Sequence, residues 1–413
     1  MQPWLIPTLY ASSSIIAGFI VPRLESKFFT YGLKLSTTSA QAYLSAVASG
    51  MMALTGIVFS IAFVLVQFNA IVYSPRLVIW FARDRLLFHS LGMFVATFMY
   101  SLATLAWVDR TGAESVPLIS AAIVAAMLVA SVLMLSRLVE RLDTLQITRV
   151  LQILGDTGRE VIHLSYLPLK SPAIDARGRD GEQEAPASLI VKHGSKPQTV
   201  TSIDMKRLVE VARQANGIVY MKCAVGDVLV LGTVILHFSG KPSATTDEQL
   251  RKCIILGDQR TFAQDPKFTF RLLVDIAIKA LSPSINDPTT AVQAIDQIED
   301  LLRHLAACDL EENRAFDQDG VLRVIYQTPT WEDYLALAFD EIRQFGSTSI
   351  QVMRRLNSAL VELEGYVDSG RVASVRSYMD HLYSEIEQSG FDPLDRAAAH
   401  IEDRQGLGQS HRH

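Results

Sequence analysis

Hydrophobic residues run in long blocks through the first third of the chain and in short periodic strings through the rest. Residues 1–22, 35–75, 86–108 and 115–136 contain no Asp, Glu, Lys or Arg. A spanning helix needs roughly 20 mostly apolar residues. Each block therefore predicts one transmembrane helix, with cores near 4–21, 42–70, 87–108 and 116–137. The second block is too long for one simple crossing, yet it holds no polar turn that would divide it. It predicts a single long, tilted helix running toward Pro75. The first block has no Lys or Arg before it and no A-x-A site after it, which predicts a retained anchor rather than a cleaved signal.

A helical period continues beyond the fourth block through Leu138, Leu142, Leu145, Val150, Leu151, Leu154 and Val161. This predicts that the fourth helix runs on to about residue 165. Residues 170–187 are rich in Pro, Gly, Ala and charge and read as a surface loop. Strands are expected at 188–192, 198–203, Ile218–Ala224 and Val228–Phe238, with a helix at 204–216 capped by Asp204 or Ser202. Together they predict a small β-rich barrel or sandwich. Helices are expected at 247–256, 266–281, 288–307, 331–345, 348–368, 371–388 and 393–404, one strand at 321–327, and a disordered tail over 405–413. The resulting division is 1–138 transmembrane, 139–187 helical extension and loop, 188–246 small α/β subdomain, 247–404 mainly helical domain, and 405–413 tail.

Charge follows the same division. Residues 1–138 carry eight Lys/Arg and four Asp/Glu, which leaves 30 basic and 39 acidic groups for the remainder. No basic face emerges from that acidic remainder, which argues against nucleic-acid binding. Six Lys/Arg (Arg76, Arg83, Arg85, Arg137, Arg141, Arg149) flank one membrane side and four (Arg23, Lys27, Lys34, Arg110) the other. The positive-inside rule then places both termini in the cytoplasm. Three scattered cysteines suit that compartment and suggest no disulfide framework.

The densest polar signal is 257–291. Asp265-Pro266 and Asp287-Pro288 each fit an N-cap followed by proline at the first helical position. Residues Asp258, Arg260, Thr261, Gln264 and Asp265 precede one helix; Ser284, Asn286, Asp287, Thr289 and Thr290 precede the other. If the two N-termini lie together they could bind an anion, and their carboxylates could instead take a cation. Arg260, Asp265, Ser284, Asn286, Asp287 and Thr290 are accordingly the candidate ligand-binding residues. Plain helix capping is the competing explanation.

Several of these residues carry a resemblance. The run Arg260-Thr261-x-x-Gln264-Asp265, then Val274-Asp275-Ile276-Ala277, then Ala280-Leu281-Ser282-Pro283-x-Ile285-Asn286-Asp287-Pro288-x-Thr290-Ala291 resembles the bacterial predicted membrane proteins grouped as domain of unknown function 2254. Ser74-Pro75-Arg76-Leu77 and Pro329-Thr330-Trp331 are similar to the same family. The likeness covers nearly the whole chain. It implies a four-helix membrane part with a cytoplasmic domain, hence a multi-pass protein of the bacterial inner membrane, and it carries over no activity.

The remaining candidates are weaker. Arg76, Arg83 and Arg85 are expected at the membrane surface, terminating helices and anchoring lipid headgroups. Ser60, Gln67 and Asn69 are polar positions in the second helix; they fit interhelical hydrogen bonds or the lining of a pore. His89 reads as interfacial rather than as a proton relay. No span contains Asp, Glu, Lys or Arg, which argues against a pump but leaves a passive channel open. His304 and Cys308 lack a second ligand pair, so no metal is expected. No cofactor or catalytic motif is present, and an enzyme reading would rest on the polar corner at 258–290 alone.

The sequence thus predicts an α-helical polytopic membrane protein with four transmembrane helices and a mainly helical α+β cytoplasmic domain containing a small β-rich subdomain. Small residues along the second helix (Ala42, Ser45, Ala46, Ser49, Gly50, Ala53, Gly56) permit close helix packing and suggest a homo-oligomer. The expected function is a channel-like protein with a cytoplasmic vestibule or gate, with membrane lipid, other copies of itself and inorganic ions as partners. The alternatives are a membrane-anchored sensor or scaffold for a small cytoplasmic ligand or lipid, and a membrane-bound enzyme.

Overall fold

The computed structural model describes residues 5–28, 36–72, 85–111, 117–143, 146–169, 185–243, 246–310 and 314–408. The chain divides into two compact units, Met1–Gln146 and Ile147–His413.

Among the described residues the first unit holds four long helices: α1 (Leu5–Phe28), α2 (Thr37–Val72), α3 (Arg85–Thr111) and α4 (Leu118–Asp143). All four are long and apolar enough to cross a membrane. α2 has 36 residues, about 54 Å at 1.5 Å per residue, against roughly 30 Å for the apolar core of a bilayer. α1 does not stop at Pro22 as the charge-free count suggests; it runs through the proline to Phe28. Packed helices can absorb a proline's missing donor, and the extension brings Glu25 into the unit. α1 and α3 run side by side in the same direction. Gly92 faces the ring of Tyr10, and Gly18 faces Tyr100 and Ala103 so closely that a Cβ there would lie 2.6 Å from Ala103. Leu44, Val47, Met51, Phe94, Tyr100, Val108, Val124 and Leu138 form the core.

The second unit opens with α5 (Ile147–Ser165). The periodic stretch after the fourth span falls in two described helices, the end of α4 and α5, and residues 144–145 between them lie outside the described residues. Two sheets follow. β1 (Leu189–Lys192), β5 (Val234–Ser239), β3 (Ile218–Met221), β8 (Leu322–Ile325) and β7 (Arg314–Phe316) form one, in that spatial order. β4 (Val228–Leu229), β2 (Gln198–Ile203) and β6 (Ile254–Gly257) form the other. Pairing is antiparallel except for β3 with β8. The expected strand Val228–Phe238 is broken at Gly232, whose φ of +85° suits only glycine without strain, and its halves join different sheets. The expected helix 247–256 ends early: α7 covers Thr246–Lys252, and the β-branched pair after Cys253 becomes β6. The sheets thus draw on residues well outside 188–246. α6 (Met205–Gln214), capped by Asp204 as expected, packs its Leu208, Val211 and Ala212 into a core with Val191, Val219, Leu236, Phe238 and Val324.

The helical layer contains α8 (Pro266–Ala280), α9 (Pro288–Ala306), α10 (Trp331–Gly346), α11 (Ile350–Tyr366), α12 (Val372–Gln388) and α13 (Pro393–Ala399). α5 approaches α8 and α9 through glycine: a Cβ at Gly158 would lie 2.8 Å from Leu301 and 2.9 Å from Thr269. The last helix stops at Ala399, and the segment after it is not loose. Asp403 is buried and accepts from the amides of Gln405 and Gly408, while Gly406 lies against Gln351. Residues 405–408 are therefore a packed turn, and 409–413 lie outside the described residues.

Candidate functional sites

Both Asp-Pro pairs cap helices. Asp265 accepts from the Phe268 amide at 3.1 Å, and Asp287 from the Thr290 amide at 3.1 Å and the Thr290 hydroxyl at 2.6 Å. The two N-termini do not meet. The Asp287 amide donates to the Ala280 carbonyl at 2.8 Å, so α9 begins where α8 ends. α8 has 15 residues, which sets the two clusters about 22 Å apart along its axis. The single anion cradle expected from the sequence is not assembled.

At the α8 start, Arg260 donates to both carboxylate oxygens of Asp265, at 2.7 and 2.8 Å. Asp265 is 3% exposed. Arg260 also lies over the Phe268 ring at 5.5 Å. Gly226, at φ +96°, leaves room for the pair, since a Cβ there would lie 2.6 Å from Arg260. The Gln264 side chain bonds the amide and carbonyl of Ile203, joining the corner to β2. A ligand here would have to compete with these bonds. At the α9 start, Asn286 adopts φ +51°, a left-handed conformation that Asn tolerates, and Ser284 lies within 3.3 Å of the Ser282 hydroxyl. Ser284 and Asn286 are exposed. The Ser-Pro-Ser-Ile-Asn-Asp-Pro run is thus a tight interhelical turn, which accounts for its residue types.

The second unit also holds polar groups that sequence patterning missed. Tyr166 and Tyr334 share a buried hydroxyl–hydroxyl bond of 2.8 Å; burial pushes Tyr166 up to about 12 and Tyr334 well above its ordinary value. Arg355 is 4% exposed and pairs with Asp296 at 2.7 Å and Glu299 at 2.5 Å. Glu299 also bonds Arg303, and Arg303 reaches Glu362. Burial raises the pKa of all three thiols, Cys223 to about 12 and Cys253 to about 11, which keeps them protonated. The His304 ring packs edge-on against His163 at 5.2 Å. Among the described residues no group of three His, Cys, Asp or Glu is placed to hold a metal.

In the first unit, Ser60 lies on the exposed side of α2 and its hydroxyl bonds the Gly56 carbonyl at 2.9 Å. The side chains of Gln67, Asn69 and Arg85, and all of Arg76 and Arg83, lie outside the described residues. All seven small residues of α2 (Ala42, Ser45, Ala46, Ser49, Gly50, Ala53, Gly56) are exposed, and a Cβ at Gly50 or Gly56 would meet nothing within 4 Å. Close packing inside the unit uses glycines of α1 and α3 instead.

Half of the buried polar side chains described in this unit come from α3, the others from α1 and α4. Ser90, Thr97, Ser101 and Thr104 are all 0% exposed. Their spacing of seven, four and three places them on one helical face, a signal readable in the sequence. Thr97 meets Ser131 of α4 at 3.1 Å. Glu25 is 4% exposed and accepts from the amides of Ile119 and Ser120 and from the Ser120 hydroxyl, at 2.6, 3.1 and 3.1 Å. The carboxylate of α1 thereby satisfies free amides at the start of α4 and faces the positive end of its dipole.

Four apolar helices of spanning length joined to a mainly helical unit with small sheets define a predicted membrane protein. The chain belongs to the family of predicted membrane proteins designated domain of unknown function 2254, whose family model matches residues 2–362. Similar relatives include an uncharacterized protein of Mycobacterium bovis and one of Mycobacterium tuberculosis. Each is 26% identical over 415 residues, covering 95% of this chain and 78% of the relative. No solved structure matches the chain.

Proposed function

We propose that this protein is a homo-oligomeric, passive ion-conducting protein of the bacterial inner membrane, with both termini and the second unit in the cytoplasm. The observation that carries this reading is the outward small-residue face of α2. Membrane helices associate through small residues that let backbones approach, and among the described residues this face is exposed. Copies joined along it bring Ser60, which lies on the same face of α2, to a shared axis; Gln67 and Asn69, the other pore-lining candidates, have side chains outside the described residues. The excess of acidic over basic groups after residue 138 then forms a vestibule that favours cations. Arg76, Arg83 and Arg85 follow α2 and contact anionic lipid headgroups.

The test is cation release from liposomes containing the purified protein, beside its Gly50→Leu variant. Wild-type protein should release potassium faster than protein-free liposomes, and the variant should lose both release and assembly. Wild-type release equal to that of empty liposomes would end the proposal.

A further inference from the structure

We propose that the turn between β4 and β5 docks on an anionic lipid surface, with Leu231 at its apex entering the headgroup boundary and Lys192 and Lys196 resting on lipid phosphates. The inference goes beyond the conduction reading and needs neither the pore nor the assembly along α2.

The turn runs from Val230 to Thr233. The Thr233 amide closes it on the Val230 carbonyl at 3.0 Å, and Gly232 supplies a left-handed third position at φ +85°. Leu231 is the second residue and stands 75% exposed. Water-facing turns ordinarily carry Gly, Pro, Asn, Asp or Ser, so an apolar apex is out of place there. Nor does Leu231 stand by itself. Leu229 and Ile254 enter the core, which turns their neighbours Val228 and Ile255 to the outer face of the three-stranded sheet. Val228, Val230 and Ile255 are each more than half exposed. The turn and the sheet face beside it thus present apolar side chains together.

Two observations favour lipid as the occupant. The first is that the turn's backbone is already satisfied. The Val230 amide donates to the Thr233 hydroxyl at 3.1 Å. The Gly232 amide donates to the His193 carbonyl at 2.9 Å, and the His193 amide to the Thr233 carbonyl at 2.8 Å. Both backbone groups of Val230 and of Thr233 are therefore paired before any partner arrives. Unpaired peptide groups are what bar ordinary loops from lipid, and this turn has few to lose. The second observation is charge. The same His193 bonds hold the loop of Lys192 and Lys196 against the turn, and both lysines are exposed. Lys196 shares Asp258 at 3.4 Å, but the two side chains are 73% and 76% exposed, so that pair is loosely held. Asp227 lies at the far end of β4, where the Ala224 amide engages it. Apolar side chains beside lysines are the combination that anionic bilayers attract. Chain connectivity supplies proximity: three residues separate the end of α4 from the start of α5, so a bilayer holding the spans stays within reach of the second unit.

The experiment places full-length Leu231→Cys protein in vesicles of one-third phosphatidylglycerol and two-thirds phosphatidylcholine and labels the new thiol with nitrobenzoxadiazole. The three native cysteines are buried, which directs the dye to the introduced one. Emission should shift to the blue, and lipids carrying a nitroxide near the headgroup should quench it at least twofold. Leu394→Cys, labelled at a position 81% exposed on α13, should show neither effect. Val228→Cys reports on the same patch if Leu231→Cys does not fold. Adding Lys192→Glu and Lys196→Glu should at least halve the quenching. Quenching at position 231 no greater than at 394 would overturn the proposal. A blue shift without quenching would also overturn it, because the turn would then lie against protein, such as a second copy. Equal quenching in vesicles of phosphatidylcholine alone would overturn an anionic surface as the occupant.

Discussion

Removing Arg355 while leaving its partners tests how the helical layer of the second unit is held. The guanidinium is 4% exposed and joins α11 to α9 through Asp296 and Glu299. Asp296 is 47% exposed at its side chain and regains water when Arg355 is lost, so its contribution is small. Glu299 is 8% exposed and cannot do so. Breaking a buried pair by removing one partner costs about 3–5 kcal/mol. Glu299 keeps its bond to Arg303, which places Arg355→Met at the low end, about 3 kcal/mol. For a unit of this size each kcal/mol moves the melting temperature by about 2–4 °C, so a fall of about 6–12 °C is expected. The assay is thermal unfolding of full-length protein in detergent. The double variant Arg355→Met with Glu299→Met removes the stranded charge and should recover part of the loss. A fall below about 2 °C, or a double variant no better than the single, would refute the stranded-carboxylate argument.

Other consequences follow from the same packing. Gly158→Ala should destabilise, because its Cβ would meet Leu301 at 2.8 Å and Thr269 at 2.9 Å. Gly365→Ala meets nothing within 4 Å and should gain up to about 1 kcal/mol from helix propensity; matched thermal shifts of the two variants check this. Arg371 donates to the carbonyls of Leu305, Ala306 and Cys308 and lies over Trp331. Arg371→Ala should therefore lower stability by about 2 kcal/mol, read by denaturant unfolding. The Arg271 bond holds Glu341 below its ordinary 4.5. Its folded pKa is depressed, so its stabilisation is present above about pH 4.5 and is lost as pH falls through the lower folded value. Glu341→Gln should flatten the melting temperature between pH 5 and pH 3.

What the sequence revealed depended on how local the cause was. The Asp265 and Asp287 caps are short-range, since each aspartate bonds an amide three residues on, so both helix starts were readable. The four spans were readable because lipid-length apolar runs have few other uses. The sheets were harder. β6 exists because Ile254–Gly257 pairs with β2 more than fifty residues earlier, and no local pattern separates its first residues from the end of α7. The halves of Val228–Phe238 divide because Gly232 turns the chain and each half finds a different partner strand. Glu25 was missed for another reason: a count of charges treats a glutamate after Pro22 as the beginning of a loop. Only the unsatisfied amides at the start of α4, ninety-odd residues later, explain its burial.

The central claim, that copies assemble along the small-residue face of α2, is tested most directly by single-particle imaging of the full-length protein in lipid nanodiscs. The account predicts a symmetric ring with residues 42–60 of α2 at the contacts between copies and around the central axis. A monomer, or a dimer with no continuous path, would contradict it.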